Sequence, residues 1–273
     1  MKKIILASDG KNFPKGAFEF VKELQQHEPV LLTGAFLHSL NFEEFLPGVF
    51  AMYASPALEF LEEEKKLNKQ IRQQFEDLCQ RNMIEYRVHE QSPNWNIEDL
   101  SKETRFADLM LMSEELFCND INSYQPNSFM QQAIHKSECP VICVPENYSP
   151  VRKIIFAYDG KKESMFAMKQ FCNLFPQFTA LETKIIYAKD EADENIPDLI
   201  YLEEYAGRHF SDLDIEKVVS SGKKFFEERG NELNNCMLVS GAYSRSGLST
   251  SLNRSFVETI IHEHRIPVFI AHS

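Results

Sequence analysis

Short runs of branched and aromatic residues alternate along this chain with longer stretches in which apolar positions recur every three or four residues. The run Lys3-Ile4-Ile5-Leu6-Ala7-Ser8 reads as a buried strand that stops at Asp9-Gly10, and residues 14–26 then set Ala17, Phe18, Val21 and Leu24 at helical spacing. Residues 30–37 predict a second strand and residues 57–81 the longest helix. In residues 83–89, Ile84, Tyr86 and Val88 alternate with polar positions, the pattern of a half-exposed edge strand. A short helix follows over 94–106, with Trp95, Ile97 and Leu100 facing in, then a strand over 108–112, a helix over 127–136 and a strand over 140–144. Residues 145–150 carry prolines at both ends and read as a boundary. Beyond it the order repeats, with strands at 152–157, 183–188, 213–219, 236–240 and 267–271 and helices between them.

The repetition extends to the residues themselves. Lys3-Ile4-Ile5-Leu6-Ala7-Ser8-Asp9-Gly10-Lys11 returns as Lys153-Ile154-Ile155-Phe156-Ala157-Tyr158-Asp159-Gly160-Lys161, at an offset of 150. Met110-Leu111-Met112-Ser113 matches Met237-Leu238-Val239-Ser240, and Pro140-Val141 matches Pro267-Val268, both at an offset of 127. The first copy is therefore 23 residues longer. Its excess lies between the second and third strands, where residues 38–56 carry Phe42, Phe45, Leu46, Phe50 and Tyr53 without clean periodicity. Two domains are expected, 1–147 and 148–273. Strands alternating with helices predict α/β architecture: two tandem three-layer units, each a five-stranded, mostly parallel sheet with helices on both faces. Residues 141–144 and 267–271 are apolar runs at sheet edges, which need covering, and they are expected to pair antiparallel.

Composition narrows the function. A chain with 43% hydrophobic and 26% charged residues is globular, and no apolar run approaches the roughly 20 residues of a membrane span, so a cytoplasmic protein is expected. The net charge of −12 excludes a nucleic-acid partner, which requires a basic face. Six cysteines, Cys79, Cys118, Cys139, Cys143, Cys172 and Cys236, lack the close pairing of metal sites and read as buried free thiols, with no structural metal. His262 and His264 are two apart and point to different faces of a helix, which does not suit a metal ion. Neither a Gly-x-Ser-x-Gly elbow nor a Gly-x-x-x-x-Gly-Lys-[Ser/Thr] loop is present, so no catalytic residue is assigned. Asp9 and Asp159 end the first strand of each copy, at the edge where open parallel sheets bind ligands; either could instead merely cap the helix that follows.

The Lys-Ile-Ile-x-x-x-Asp-Gly opening, the strand Asp108-Leu109-Met110-Leu111-Met112, and the closing run Cys139-Pro140-Val141-Ile142-Cys143-Val144-Pro145 resemble the universal stress protein family. The resemblance covers both copies. It implies the Rossmann-type fold of the adenine-nucleotide α-hydrolases, a non-catalytic stress-response role, and an intramolecular pseudo-dimer replacing the usual pair of chains. Members that bind ATP carry Gly-x-x-Gly, nine residues, then Gly-[Ser/Thr] after the fourth strand, because glycines let the backbone approach phosphate and helix amides face it. The matching positions of the second copy are Gly241, Ser244, Arg254 and Ser255, and those of the first are Glu114, Phe117, Asn127 and Ser128. The resemblance also assigns adenosine contacts to Ala157, Asp159 and Ala188, with Ala7, Asp9 and approximately Phe36 as first-copy counterparts.

Two carboxylates, Glu114 and Glu115, would face a triphosphate in the first copy, so binding of ATP or AMP, with magnesium, is expected only in the second. Arg254 either closes the cradle or binds phosphate directly. The alternative is a non-binding tandem scaffold that acts through an unidentified protein partner.

Overall fold

The computed structural model describes residues 1–8, 12–36, 54–89, 97–113, 128–189, 195–219, 233–241, 266–271 and 273. In chain order the elements are β1 (Lys2–Ser8), α1 (Lys15–Gln25), β2 (Val30–Phe36), α2 (Ala54–Arg81), β3 (Glu85–Val88), α3 (Ile97–Thr104), β4 (Leu109–Ser113), α4 (Ser128–Lys136) and β5 (Val141–Val144). They are followed by β6 (Lys153–Ala157), α5 (Lys162–Leu174), a 3₁₀ turn (Pro176–Phe178), β7 (Glu182–Lys189), α6 (Leu199–His209), β8 (Leu213–Val219), β9 (Cys236–Ser240) and β10 (Val268–Ile270).

The strands form one ten-stranded sheet in the order β3-β2-β1-β4-β5-β10-β9-β6-β7-β8. Every neighbouring pair is parallel except β5 and β10, which join antiparallel through Cys143↔Val268, Ile142↔Phe269 and Val141↔Ile270, as the apolar edges predict. The sheet therefore reads as the order 3-2-1-4-5 twice, back to back.

Alternate residues of each strand feed two cores. One face buries Ile4, Leu6, Ile142, Ile154, Phe156 and Phe269 under α1, α2, α5 and α6. The other buries Ile5, Met110, Val141, Ile155, Leu238 and Val268, and α3 and α4 cover its first half through Leu100, Met130 and Ile134. Both cores run across the β5–β10 join.

An aromatic seam reinforces that join. The Phe269 ring meets Phe171 of α5 and Phe175 just past its end at 5.7 and 5.9 Å, Phe175 stacks on Phe178 at 5.6 Å, and Phe20 of α1 reaches Phe175 at 6.2 Å. Tyr148, in the connection between β5 and β6, packs edge-on against Phe20 and donates its hydroxyl to Glu23. Burial, and then that carboxylate, push its pKa up.

Most of the extra length of the first copy takes the form of helix. α2 has 28 residues where α6 has 11. It begins at Ala54, three residues before the periodicity starts, with Pro56 tolerated in its first turn. Ile71, Phe75 and Cys79 anchor its last turns in the core, while Glu62, Glu63, Lys65 and Lys66 are exposed. Among the described residues no helix is long and apolar enough to cross a membrane.

Five cysteines are buried free thiols, as expected; Cys118 lies outside the described residues. Burial pushes Cys79 and Cys139 up to about 12, and Cys172 and Cys236 up to about 11, from an ordinary 9.0. At pH 8, a thiol-specific reagent should therefore titrate at most one cysteine in the native protein and six after denaturation. Because these folded-state values lie above the unfolded one, their contribution to stability is complete below about pH 9 and is lost as pH rises toward 11–12. Replacing Phe269 by Ala should cost about 3–5 kcal/mol. Urea unfolding followed by fluorescence and by circular dichroism should show one coincident transition, since both cores cross the join.

Candidate ligand-binding site

β6 lies between β7 and β9, and the ladder pairs Ala157 with Ile186 on one side and Ser240 on the other. The chain leaves β6 toward β7 through α5, whereas β9 lies on the opposite side, so the order reverses between β6 and β9. Such a switch point opens a crevice at the carboxyl ends of parallel strands. Ala157, Asp159, Ala188 and Gly241 all lie along that edge. The first three are half-buried and Gly241 is buried.

Local bonds hold the turn after β6. Asp159 Oδ1 accepts the backbone N–H of Lys161 at 3.0 Å, and Oδ2 lies 3.6 Å from the Lys161 ammonium. These bonds brace the turn rather than cap α5, whose N-cap is Lys161 with no side-chain cap bond, and the Asp159 side chain is 20% exposed. Gly160 has φ +77, a left-handed conformation that favours glycine, and an added Cβ would lie 2.7 Å from Pro197 Cγ. Tyr158 is buried, donates its N–H to the Ile186 carbonyl at 3.0 Å and its hydroxyl to the Pro197 carbonyl at 3.0 Å. Burial, then the carboxylates of Asp198 and Asp159, raise its pKa and keep it a donor. The turn before α5 is therefore pinned to the segment before α6.

Gly241 is required by packing within the protein. A Cβ there would lie 2.1 Å from the carbonyl carbon and oxygen of Glu163 and 2.4 Å from the N of Ser164. The glycine admits the first turn of α5 against the exit of β9, so the backbone that approaches it is the protein's own. In the first copy the matching residue is Glu114, and α1 starts at Lys15, the repeat partner of Met165, so it lacks the turn that α5 begins at Lys162. Glycine and extra helical turn occur together in the second copy, and both are missing from the first.

The described residues at the carboxyl edge of the first copy are buried. Ala7, Ser8 and Ala35 are fully buried, and the Phe36 ring packs at 5.5 Å on Phe75. Ladder register pairs Ala7 with Ala35 where Ala157 pairs with Ile186. Phe36 is thus the counterpart of Tyr187, and the true counterpart of Ala188 is Leu37, one residue from the expected position and outside the described residues.

A residue that sequence reasoning missed sits nearby. Glu146, two positions past β5, accepts the Ser113 hydroxyl at 2.5 Å on Oε1 and the N–H groups of Lys15 and Gly16 at 3.1 and 3.4 Å on Oε2. A carboxylate of the chain thus occupies the favourable place at the start of α1. Gly16 permits this, since a Cβ there would lie 1.9 Å from the Pro145 carbonyl oxygen.

Asp9, Glu114, Asn127, Ser244, Arg254 and Ser255 lie outside the described residues, and Ser128 is the first residue of α4. Among the described residues no group of three His, Cys, Asp or Glu could hold a metal ion.

No protein-family model and no curated protein matches the sequence. Among solved structures, a universal stress protein from Archaeoglobus fulgidus DSM 4304 superposes with a TM-score of 0.70 at 16% identity, covering 99% of this chain and 96% of that one. A functionally unknown protein from Pseudomonas aeruginosa PAO1 gives 0.58 at 13% identity, over 100% of this chain and 92% of its own. The chain has the α/β fold of the universal stress proteins.

Replacing Gly241 by Ala should cost several kcal/mol in chemical denaturation, because backbone rather than a flexible side chain must give way. Gly207, within α6, provides the control: nothing lies within 4 Å of its added Cβ, so Gly207→Ala should stabilise by about 1 kcal/mol.

Proposed function

We propose that this protein is a non-catalytic, stress-response protein of the universal stress type, in which one adenine nucleotide, ATP or AMP, is held by the second copy of the repeat alone. The observation that carries this reading is the contrast between the two carboxyl edges. Ala157, Asp159 and Ala188 are half-buried at the β6–β9 switch point, whereas Ala7, Ser8, Ala35 and Phe36 are buried and Glu146 fills the start of α1. Small apolar residues beside a carboxylate suit the flat face and the hydroxyls of a nucleoside. Two alanines and an aspartate already bonded to Lys161 suit binding and orienting a ligand; they supply no nucleophile.

Ser244, Arg254 and Ser255 are assigned to the phosphate end, with magnesium, on the strength of the spacing alone. A chain with a net charge of −12 disfavours a polyanion at long range, so a local cation such as Arg254 would have to offset that field.

One finding favours the second reading, a nucleotide-free scaffold engaging a protein partner. Gly241 is buried against α5, so the position that would admit phosphate is filled by a helix turn.

Thermal unfolding with and without ATP and magnesium separates the two. A nucleotide present at about 100 times its Kd should raise Tm by about 5 °C. Ala188→Phe, which fills the crevice, should abolish the shift while leaving the unliganded Tm within a few degrees. An unchanged Tm at millimolar ATP in both the native protein and Arg254→Gly would sink the nucleotide reading and leave the scaffold.

A further inference from the structure

An open sheet has two edges, and here the terminal strands are β3 and β8. Among the described residues, β3 has β2 on one side and no strand on the other. The mid-strand Tyr86 carbonyl is reached by the Arg87 guanidinium in an exposed bond of 2.7 Å. Which strand can pair with such an edge is decided by the side chains it would bring face to face.

The side chains of β3 alternate between the two faces of the sheet. Ile84, Tyr86 and Val88 turn to the core under α2, where the Tyr86 ring meets Phe75 edge-on at 5.8 Å. Glu85 and Arg87 share the other face, 3.0 Å apart, with side chains 49% and 58% exposed. A second chain related by a two-fold axis through Tyr86, perpendicular to the sheet, lays the same edge alongside in the antiparallel sense. Tyr86 then stands opposite the partner's Tyr86, Ile84 opposite the partner's Val88, and Glu85 opposite the partner's Arg87, the last two pairs each occurring twice. Ring on ring, branched on branched and opposite charges are all favourable cross-strand pairs. Moving the axis by one residue either way sets Glu85 against the partner's Glu85, or Arg87 against the partner's Arg87. The charges thus admit one register.

The other edge behaves in the opposite way. An axis through Ile215, Glu216 or Lys217 of β8 sets Asp214 against the partner's Glu216, Glu216 against the partner's Glu216, or Lys217 against the partner's Lys217. Self-pairing is therefore specified at one edge and opposed at the other, which favours a closed pair of chains over sheets added end to end. The helix beside β3 fits the same arrangement. Phe75 of α2 lies over the boundary of β2 and β3, its ring 5.5 Å from Phe36 and 5.8 Å from Tyr86. Strands about 4.8 Å apart then hold the α2 helices of two chains about 10 Å apart across the axis, the ordinary spacing of packed helices.

We propose that β3 is a self-pairing edge, through which two chains of this protein join antiparallel and extend the ten-stranded sheet into a single sheet of twice that width. The contact lies at the end of the sheet remote from β6 and β9, so it is independent of any nucleotide in the second copy.

Sedimentation equilibrium of the full chain, from about 1 μM to about 1 mM, tests it over the range of weak self-association. The average mass should rise from 31.7 kDa toward twice that value and no further. Arg87→Glu and Glu85→Arg each set like charges opposite one another in both charged pairs, and each should weaken the dimer at least about tenfold. Both side chains are exposed, so the variants should keep the native circular dichroism spectrum. Mixed one to one, the two variants regain opposite charges in every pair and should form a heterodimer at least as tight as the native dimer. The proposal is overturned by a chain that stays monomeric up to about 1 mM, or by growth beyond two chains. It is equally overturned by a dimer that survives either single variant, or by folded single variants that do not associate when mixed.

Discussion

Three residue pairs running in opposite directions, Val141↔Ile270, Ile142↔Phe269 and Cys143↔Val268, decide the shape of everything else. Without them the chain would form two parallel sheets, each with an apolar strand at its edge. With them it has one sheet and two cores that cross the centre. The reversal of direction has a geometric result. The carboxyl ends of β1, β2 and β4 leave one side of the sheet, and those of β6, β7 and β9 leave the other. The carboxyl edges of the two copies therefore face away from each other.

The two copies have diverged in ways that act in concert. In the second, a glycine at position 241 goes with a helix that starts one turn earlier, and the strand ends remain partly accessible. In the first, the matching position is Glu114, the helix starts later, and Glu146 caps it across the end of β4. The repeat partner of Glu146 is Ser273, so the carboxylate that serves α1 has no side-chain equivalent for α5.

The sequence made the strand order readable because the repeated nonapeptide and the recurrence of Met110 to Ser113 mark the same strands twice. The antiparallel join followed from two apolar runs, each at the end of its copy. What escaped was set by groups far apart in sequence. The role of Gly241 depends on Glu163 and Ser164, some 80 residues away, and nothing in its neighbourhood distinguishes a glycine facing a ligand from one facing a helix. Glu146 is a lone acidic residue after a strand, and its partners at Lys15 and Gly16 lie 131 and 130 residues off. The counterpart of Ala188, placed approximately at Phe36, lies one residue further on, because apolar runs buried on both faces lack the alternation that would fix register.

The short β10 also has a bearing on how the chain is made. Roughly 120 residues separate the end of β5 from the start of β10, about 6–24 s of ribosomal synthesis. Any folding of the first five strands in that interval leaves Val141 to Val144 as an uncovered edge, competent to pair with the same edge of another nascent chain. The last strand to emerge thus serves as a closing clasp, and its late arrival defines the period in which this protein is most exposed to misassembly between neighbouring ribosomes.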